Sequence, residues 1–448
     1  MKVAIIGAGY VGLVTGVCLA AKGHCVIGVD RQAEVIEQLN RGRPHIHEPG
    51  LEELLGEGLR SGRWRATTDL DAALGESEIV IIAVGTPVEN GLIDLSAVLE
   101  VSRGIGAYLR AHERYLAVVV KSTVPPGTTD SIVRSKIARA AGRESFGLGM
   151  NPEFLRESEA IGFFMEPDRL VLGYEDERTL RALEELYAPW KVEKLRVNTR
   201  TAELIKYASN ALLALQISAV NELANLAAAL GGIDVMDVIR GLHLDQRWNP
   251  IVNGERLSPG ILTYLAPGCG FGGSCFPKDL LALRSLGQEK GLPMRVVDAV
   301  IKANEAQPGE VVRILEDAVP CLAGQTIAVL GLAFKPGTDD VRESASLKIV
   351  RALLEKGAKV IAHDPLARDN FKKALGPTAG AIAFRDSWHD AVAAAEIVIV
   401  ATAWPEYGSL SQMELAGKFV FDARRMFRPA DFAGGAYLAI GRGTYGNE

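Results

Sequence analysis

Residues 2–30 read KVAIIGAGYVGLVTGVCLAAKGHCVIGVD, and the GAGYVG segment at 7–12 decides the fold. An apolar run ends there on three glycines spaced G-x-G-x-x-G, and a proline-free stretch rich in Val, Leu and Ala follows, so a strand turns into a helix. A second apolar run, CVIGV, ends in Asp30. In this setting Gly7 makes the turn, Gly9 lets a pyrophosphate approach the backbone, and Gly12 lets the helix pack closely. Tyr10 and Val11 open that helix, whose N-terminus adds the positive end of a dipole. Asp30 is placed to accept hydrogen bonds from a ribose diol and to repel a 2′-phosphate, so NAD is the expected cofactor. Arg31, next in the chain, is the neighbour that pulls toward a phosphate. The same glycines argue against reading the apolar N-terminus as a signal peptide.

The strand–helix alternation continues through EIVIIAVGTP, YLAVVVKST and FGLGMNPEF, then restarts near residue 326 with TIAVLGLAF, KVIAHDP, EIVIVATAW and KFVFDAR. SEIVIIAVGTP (77–87) and AEIVIVATAWP (395–405) nearly repeat each other, and VIGVD and VIAHD both end in Asp. Runs apolar on both faces belong to parallel sheets covered by helices. The expected fold is therefore α/β, with two doubly wound, Rossmann-like parallel-sheet domains joined by a long central helix over 201–230, which lacks Gly and Pro. The expected domains are 1–198 for the dinucleotide, 199–300 for a central helical region, and 301–448 for the second α/β unit. That unit has GLAFKPG (331–337) where the first has GAGYVG, so its ligand should differ, and Lys335 suggests a phosphorylated one.

Other classes are excluded by the totals. The chain has 448 residues, 48% of them hydrophobic, and a net charge of −6. It lacks the dense Lys/Arg block of a nucleic-acid or anionic-membrane binder. No stretch approaches the ~20 consecutive apolar residues of a bilayer span. Five cysteines at 18, 25, 269, 275 and 321, without an export signal, fit a reducing cytoplasm, and no Cys/His cluster suggests a metal. The apolar central helix needs covering, which points to a homodimer.

Three groups carry chemistry. Lys206 and Asn210 stand four apart in the central helix among Leu and Ala, where a desolvated lysine can serve as acid or base and an amide can orient a hydroxyl. Glu153 and Glu157 are spaced i, i+4 just beyond a strand end, where α/β sheets bind ligands. The third group is PGCGFGGSCFPKD at 267–279, where Gly270, Gly272 and Gly273 bare the backbone ahead of Cys275. A helix from about residue 279 and the adjacent Lys278 both favour a thiolate at Cys275, and Cys269 is read as structural. A dinucleotide site, a Lys/Asn pair and a reactive thiol together suggest an alcohol oxidised twice, first to an aldehyde and then, through a thiol adduct, to an acid.

With GAGYVGL, VGTP, KSTVPPGTT, NPEFLRE, the KYASN helix, GFGGSCFPKD and GLAFKPGTDDVRES in order, the chain resembles the UDP-glucose/GDP-mannose dehydrogenase family over nearly its whole length. CFPKD and PDRLVLG (167–173) look more like the members that act on UDP-glucose. The resemblance implies that Cys275 is the nucleophile, that Lys206 and Asn210 act on the sugar C6 oxygens, and that Asp279 assists the water-dependent steps. It further implies that Thr123 and Glu157 place water, with Glu153 near the sugar. Cofactor contacts are implied at Val11, Asp30, Thr86, Thr123, Glu157, Lys278 and Arg342. Substrate contacts are implied at Phe154, Leu155, the loop Tyr264–Leu265–Gly268, Gly272 and Lys335, with UDP on the second α/β unit. Two positions depart from the family pattern: Val35 replaces a lysine after Asp30, and ERLSPGILTY lacks an Arg-Ile-Gly that reaches a neighbouring subunit, leaving Arg256 as the substitute.

Competing readings are the same chemistry on GDP-mannose or another nucleotide sugar, a two-electron hydroxyacid dehydrogenase, and a non-catalytic NAD-sensing regulator. The second leaves Cys275 and the second α/β unit without a task. The third leaves Thr123, Lys206, Asn210, Cys275 and Asp279 unexplained.

Overall fold

Val3 and Ile5 face one side of the first sheet and Ala4 and Ile6 the other, and all four are buried, because helices cover both faces. The computed structural model describes residues 1–442 except 90, 416 and 433–435. Two compact units, Met1–Ser209 and Asn210–Glu448, divide within the helix Thr199–Leu230.

The strands of the first unit's main sheet run, edge to edge, Lys194–Val197, Leu170–Tyr174, Phe146–Met150, Leu116–Val120, Ile79–Ile82, Lys2–Ile6, Cys25–Val29 and Trp64–Thr67. From Phe146–Met150 to Trp64–Thr67 every pair is parallel, in the order 3-2-1-4-5-6 of a doubly wound fold. Leu170–Tyr174 breaks the all-parallel expectation by pairing antiparallel with Phe146–Met150. The connection 151–169 contains only the helix Ala160–Met165, too little to carry a covering crossover, and the chain simply turns back. That connection holds the NPEFLRE segment.

The second unit's main sheet has the strands Ile382–Phe384, Lys359–His363, Thr326–Leu330, Ile397–Val400, Phe419–Asp422 and Ala436–Ala439, all parallel, again in the order 3-2-1-4-5-6. The repeat extends to detail. Gly7 (φ +101°) and Gly331 (φ +93°) both turn off the first strand, and a Cβ on either would meet the backbone of the fourth strand's end.

Beyond that turn the two halves differ. In the first, a Cβ on Gly12 would lie 1.8 Å from the Gly7 carbonyl oxygen, so the helix Tyr10–Ala21 touches the turn directly. In the second, Ser346 Oγ donates to the Gly331 carbonyl at 2.8 Å and Ser344 Oγ to the Leu332 carbonyl at 2.7 Å. The aspartates diverge too. Asp30, half-buried, accepts from the N–H groups of Ala8 and Gln32. Buried Asp364 accepts from the N–H groups of Leu332, Ala333, Leu366 and Ala367 and from Trp404 Nε1. A carboxylate offers about four lone-pair sites, so Asp30 keeps capacity for a diol and Asp364 keeps none.

The central helix spans Thr199–Leu230. By length and composition it is apolar enough to cross a membrane, which corrects the expectation that no stretch comes close. That expectation looked for a nearly unbroken apolar run, whereas this helix is apolar on average with polar residues interspersed. Its buried polar residues are engaged within the protein: Glu203 and Lys206 in the first unit, Asn210 and Asn221 in the second.

Candidate active site

In the first unit the turn after Lys2–Ile6 forms the dinucleotide cradle. A Cβ on Gly9 would meet open space, the approach a pyrophosphate requires, and Asp30 retains acceptor capacity beside it. These features fit NAD. Tyr10 turns its phenol away to Glu48, which also accepts from the N–H groups of Ser158 and Ala160. The glycine turn is thereby tied to the end of the NPEFLRE segment. Thr86 Oγ1 donates to the Thr123 carbonyl at 2.8 Å, fixing two of the expected cofactor residues to each other.

Glu153 and Glu157 do not share a helix face. Residues 151–156 form an irregular segment, and the next helix starts at Ala160. Spacing misled here because the strand is followed by the short return connection. Glu153, 5% exposed, pairs with Lys206 Nζ at 2.9 Å and accepts from the Leu155 N–H at 2.7 Å. Burial pushes the Glu153 carboxyl up, but Lys206, the Leu155 N–H and Lys121 outweigh it and hold the group below the usual carboxylate range. The Phe154 ring lies 5.5 Å from Lys206 Nζ and 4.1 Å from the Arg169 guanidinium.

One turn before Lys206, fully buried Glu203 accepts from the N–H groups of Gly127 (2.6 Å) and Thr129 (2.8 Å). It thus fastens the end of the Thr123 loop to the helix that carries Lys206. Burial pushes Glu203 from 4.5 up to about 7, against the pull of Thr129 and Gly127, with Asp130 adding to the rise. A raised carboxyl pKa stabilises the fold fully below the unfolded value and loses that contribution as pH rises through the folded one. Between pH ~5.5 and pH ~8 the wild type is expected to lose about 2 kcal/mol relative to Glu203→Gln. Denaturant melts at the two pH values check this, and parallel losses in both proteins would refute it.

In the second unit Cys275 is the N-cap of the helix Phe276–Glu289, which starts three residues earlier than its apolar pattern implied. Asp279, 1% exposed, accepts from Lys278 Nζ on Oδ1 and from Asn210 Nδ2 on Oδ2, both at 2.6 Å. The carboxylate fixes which end of the Asn210 amide is turned toward it. Lys278, expected at the cofactor and beside the thiol, is drawn to Asp279. Cys269 is buried in the core of the second sheet, where burial pushes its thiol up.

The glycines before Cys275 make room for protein. A Cβ on Gly272 would lie 2.4 Å from the Glu343 carbonyl oxygen, and one on Gly273 2.9 Å from the Phe334 ring. The Gly273 N–H donates to the Arg342 carbonyl at 2.8 Å. The bare backbone that the sequence suggested for a ligand is occupied by the 334–343 loop. In that loop Lys335 stands by the Phe334 ring, and the Arg342 guanidinium grips Asp340 at 2.8–3.0 Å.

Upstream, Gly268 is held at both backbone groups: its N–H donates to Asn221 Oδ1 and its carbonyl accepts from Gln307 Nε2. Asn304 holds Phe271 the same way. Tyr264 ends a 3₁₀ turn, and the Leu265 side chain lies in a small apolar cluster with Val220 and Ala224. Arg424 Nη1 donates to the Gly270 carbonyl at 3.3 Å. Arg256 Nη1 donates to the carbonyls of Leu244 and Asn249, at the end of the helix Val235–Leu244, so it is held within its own chain.

Models of the UDP-glucose/GDP-mannose dehydrogenase family match in sequence: its NAD binding domain over residues 1–191, its central domain over 200–306 and its UDP binding domain over 328–429. The chain belongs to the UDP-glucose/GDP-mannose dehydrogenase family. A UDP-glucose 6-dehydrogenase of Pseudomonas aeruginosa is 39% identical, covering 100% of this chain and 99% of the relative. A GDP-mannose 6-dehydrogenase of Azotobacter vinelandii is 36% identical over 97% of this chain and 99% of its own. The solved structure of a UDP-glucose dehydrogenase from Pyrobaculum islandicum aligns with a TM-score of 0.89 and 41% identity, covering 98% of this chain and 97% of that one.

The sequence reading passed over Lys121, Glu203 and the amide group Asn221, Asn304 and Gln307. Signals for them existed. Lys121 ends the apolar run YLAVVV, Glu203 stands three before Lys206, and Asn304 and Gln307 are three apart in a helical stretch.

Proposed function

We propose that the chain oxidises UDP-glucose to UDP-glucuronate in a four-electron reaction, with a thiohemiacetal and then a thioester on Cys275, the latter released by hydrolysis. The observation that carries this reading is the Asn210–Asp279–Lys278 chain of hydrogen bonds, which ties the central helix to the first turn of the helix that Cys275 caps. A simple two-electron dehydrogenase has no use for a thiol set at such a place.

NAD, held at Gly7–Gly12 and Asp30 with Thr86 and Thr123 adjacent, supplies the acceptor for a hydride in each oxidation. Lys206 takes the proton of the C6 hydroxyl and, once an ammonium, steadies the oxyanions that follow. Asn210, oriented by Asp279, holds the same oxygen. The Cys275 thiolate adds to the aldehyde carbon. Water then attacks the thioester, placed by Thr123 and Glu157 and assisted by Asp279. Glu153 keeps Lys206 aimed. Family resemblance assigns sugar contacts to Phe154 and Leu155 and nucleotide contacts to the Tyr264–Gly268 loop and Lys335, with Lys278 and Arg342 as cofactor residues. Two copies pair through the exposed Leu204, Leu212, Leu223, Leu226 and Leu230 of the central helix.

The test is NADH formed per sugar consumed at completion. Two per UDP-glucose, with no turnover of GDP-mannose, is the expected result. Turnover of GDP-mannose alone would move the substrate assignment, and one NADH per sugar would remove the thioester route.

A further inference from the structure

Lys121 follows the strand Leu116–Val120 and is 3% exposed. Its Nζ donates to Asn151 Oδ1 at 2.7 Å, and Tyr187 Oη donates to the same oxygen at 2.5 Å. Neither partner carries a charge to balance the ammonium. Around this pocket the charged side chains are Lys121, Glu153 and Arg169, with Lys206 reaching Glu153 from the central helix. Arg169 lies over the outer neighbour, the Phe154 ring, and Glu157 follows Glu153 by four residues. Lys121 and Glu153 line the same pocket, and Glu153 pairs with Lys206 at 2.9 Å, so two buried cations stand close to one carboxylate. The proton affinity of each lysine falls when the other is charged.

We propose that Lys121 is a positioning residue for proton transfer, its charge setting the pH at which Lys206 can accept the proton of the substrate hydroxyl. With Glu153 alone, Lys206 would stay an ammonium and be a poor base. A second buried cation in the same pocket weakens that hold. Burial pulls the Lys121 ammonium down to about 8, with Glu153 opposing and Lys206 adding to the fall. The proton balance is simple: the O–H bond at C6 breaks, its proton goes to Lys206 Nζ, and the C6 hydrogen leaves with its electron pair to the oxidised cofactor. The inference rests on the role proposed above for Lys206.

The experiment is the pH profile of kcat/KM for UDP-glucose, from pH ~6 to pH ~10, in wild type, Lys121→Met, Lys121→Arg and Lys206→Met. In Lys121→Met the acidic limb should move up by about one unit, a tenfold loss of rate on that limb, with the KM for NAD unchanged. Lys121→Arg, which keeps the charge, should restore the wild-type limb. An unmoved limb in Lys121→Met, or an equal shift in Lys121→Arg, would overturn the proposal. Loss of the limb in Lys206→Met supports the reading on which it rests, and a limb that survives there removes that reading instead. Should Lys121→Met fail to fold, lysine side-chain NMR of the wild type decides: two coupled lysines titrating below the ordinary range support the proposal, and none doing so refutes it.

Discussion

Cys275→Ser is expected to release no more than one NADH per UDP-glucose, with kcat for the complete oxidation falling by a factor on the order of 10³ to 10⁶. A serine hydroxyl at this N-cap has the helix start beneath it, yet at its ordinary pKa it is a weak nucleophile. In the mechanism proposed above the first oxidation uses Lys206 and Asn210, which the substitution leaves in place. The aldehyde should therefore form and stall. Stopped-flow absorbance at the NADH band, with the product identified after quenching, separates this from a general loss of activity. Two NADH per sugar from the serine variant, at a rate near wild type, would remove the thiol from the mechanism.

The second large effect is at the opposite end of the chain. Gly12→Ala would set a methyl 1.8 Å from the Gly7 carbonyl oxygen, and that oxygen belongs to backbone that cannot swing aside as a side chain would. The helix Tyr10–Ala21 must back away from the turn, carrying with it the N-terminus expected to receive the pyrophosphate. A loss of roughly 3 kcal/mol in stability is expected from overpacking of this kind. A displacement of about 1 Å is enough to cost on the order of 100-fold in function. NAD affinity should fall by that factor in a titration of protein fluorescence. An alanine variant that binds NAD as wild type does would show that the contact is not what shapes the cradle.

The glycine fingerprint and the repeated apolar runs made both sheets legible, since period and turn chemistry are local properties. The central helix was legible for the same reason, as was the thiol at the start of a helix. What escaped the sequence depended on tertiary contact. Leu170–Tyr174 looks like any other strand, and its antiparallel pairing results from a connection too short to cross the sheet. Glu153 and Glu157 looked like a helical pair until the backbone proved irregular. The glycines at 272 and 273 pointed correctly to a close approach, but the approaching group is the 334–343 loop. Lys121 and Glu203 have meaning only beside partners distant in the chain, Lys121 through Asn151 and Glu153 and Glu203 through Gly127 and Thr129. Asn304 likewise acts on Phe271, across a separation that no motif spans.

Asp364 makes the two halves of the internal repeat unequal in what they can still accept. Five N–H groups converge on its carboxylate, four from backbone and one from Trp404, so the second sheet supplies its own occupant at the end of its second strand. A glycine at Ser346 would remove one contact and leave the aspartate fully committed. Removing the aspartate would strand five donors in a buried place. Neither single change gives the second half the open carboxylate of the first. The two halves work as a lock and its blank: one sheet end is left uncut for a ligand, and the other is already filled by its own chain.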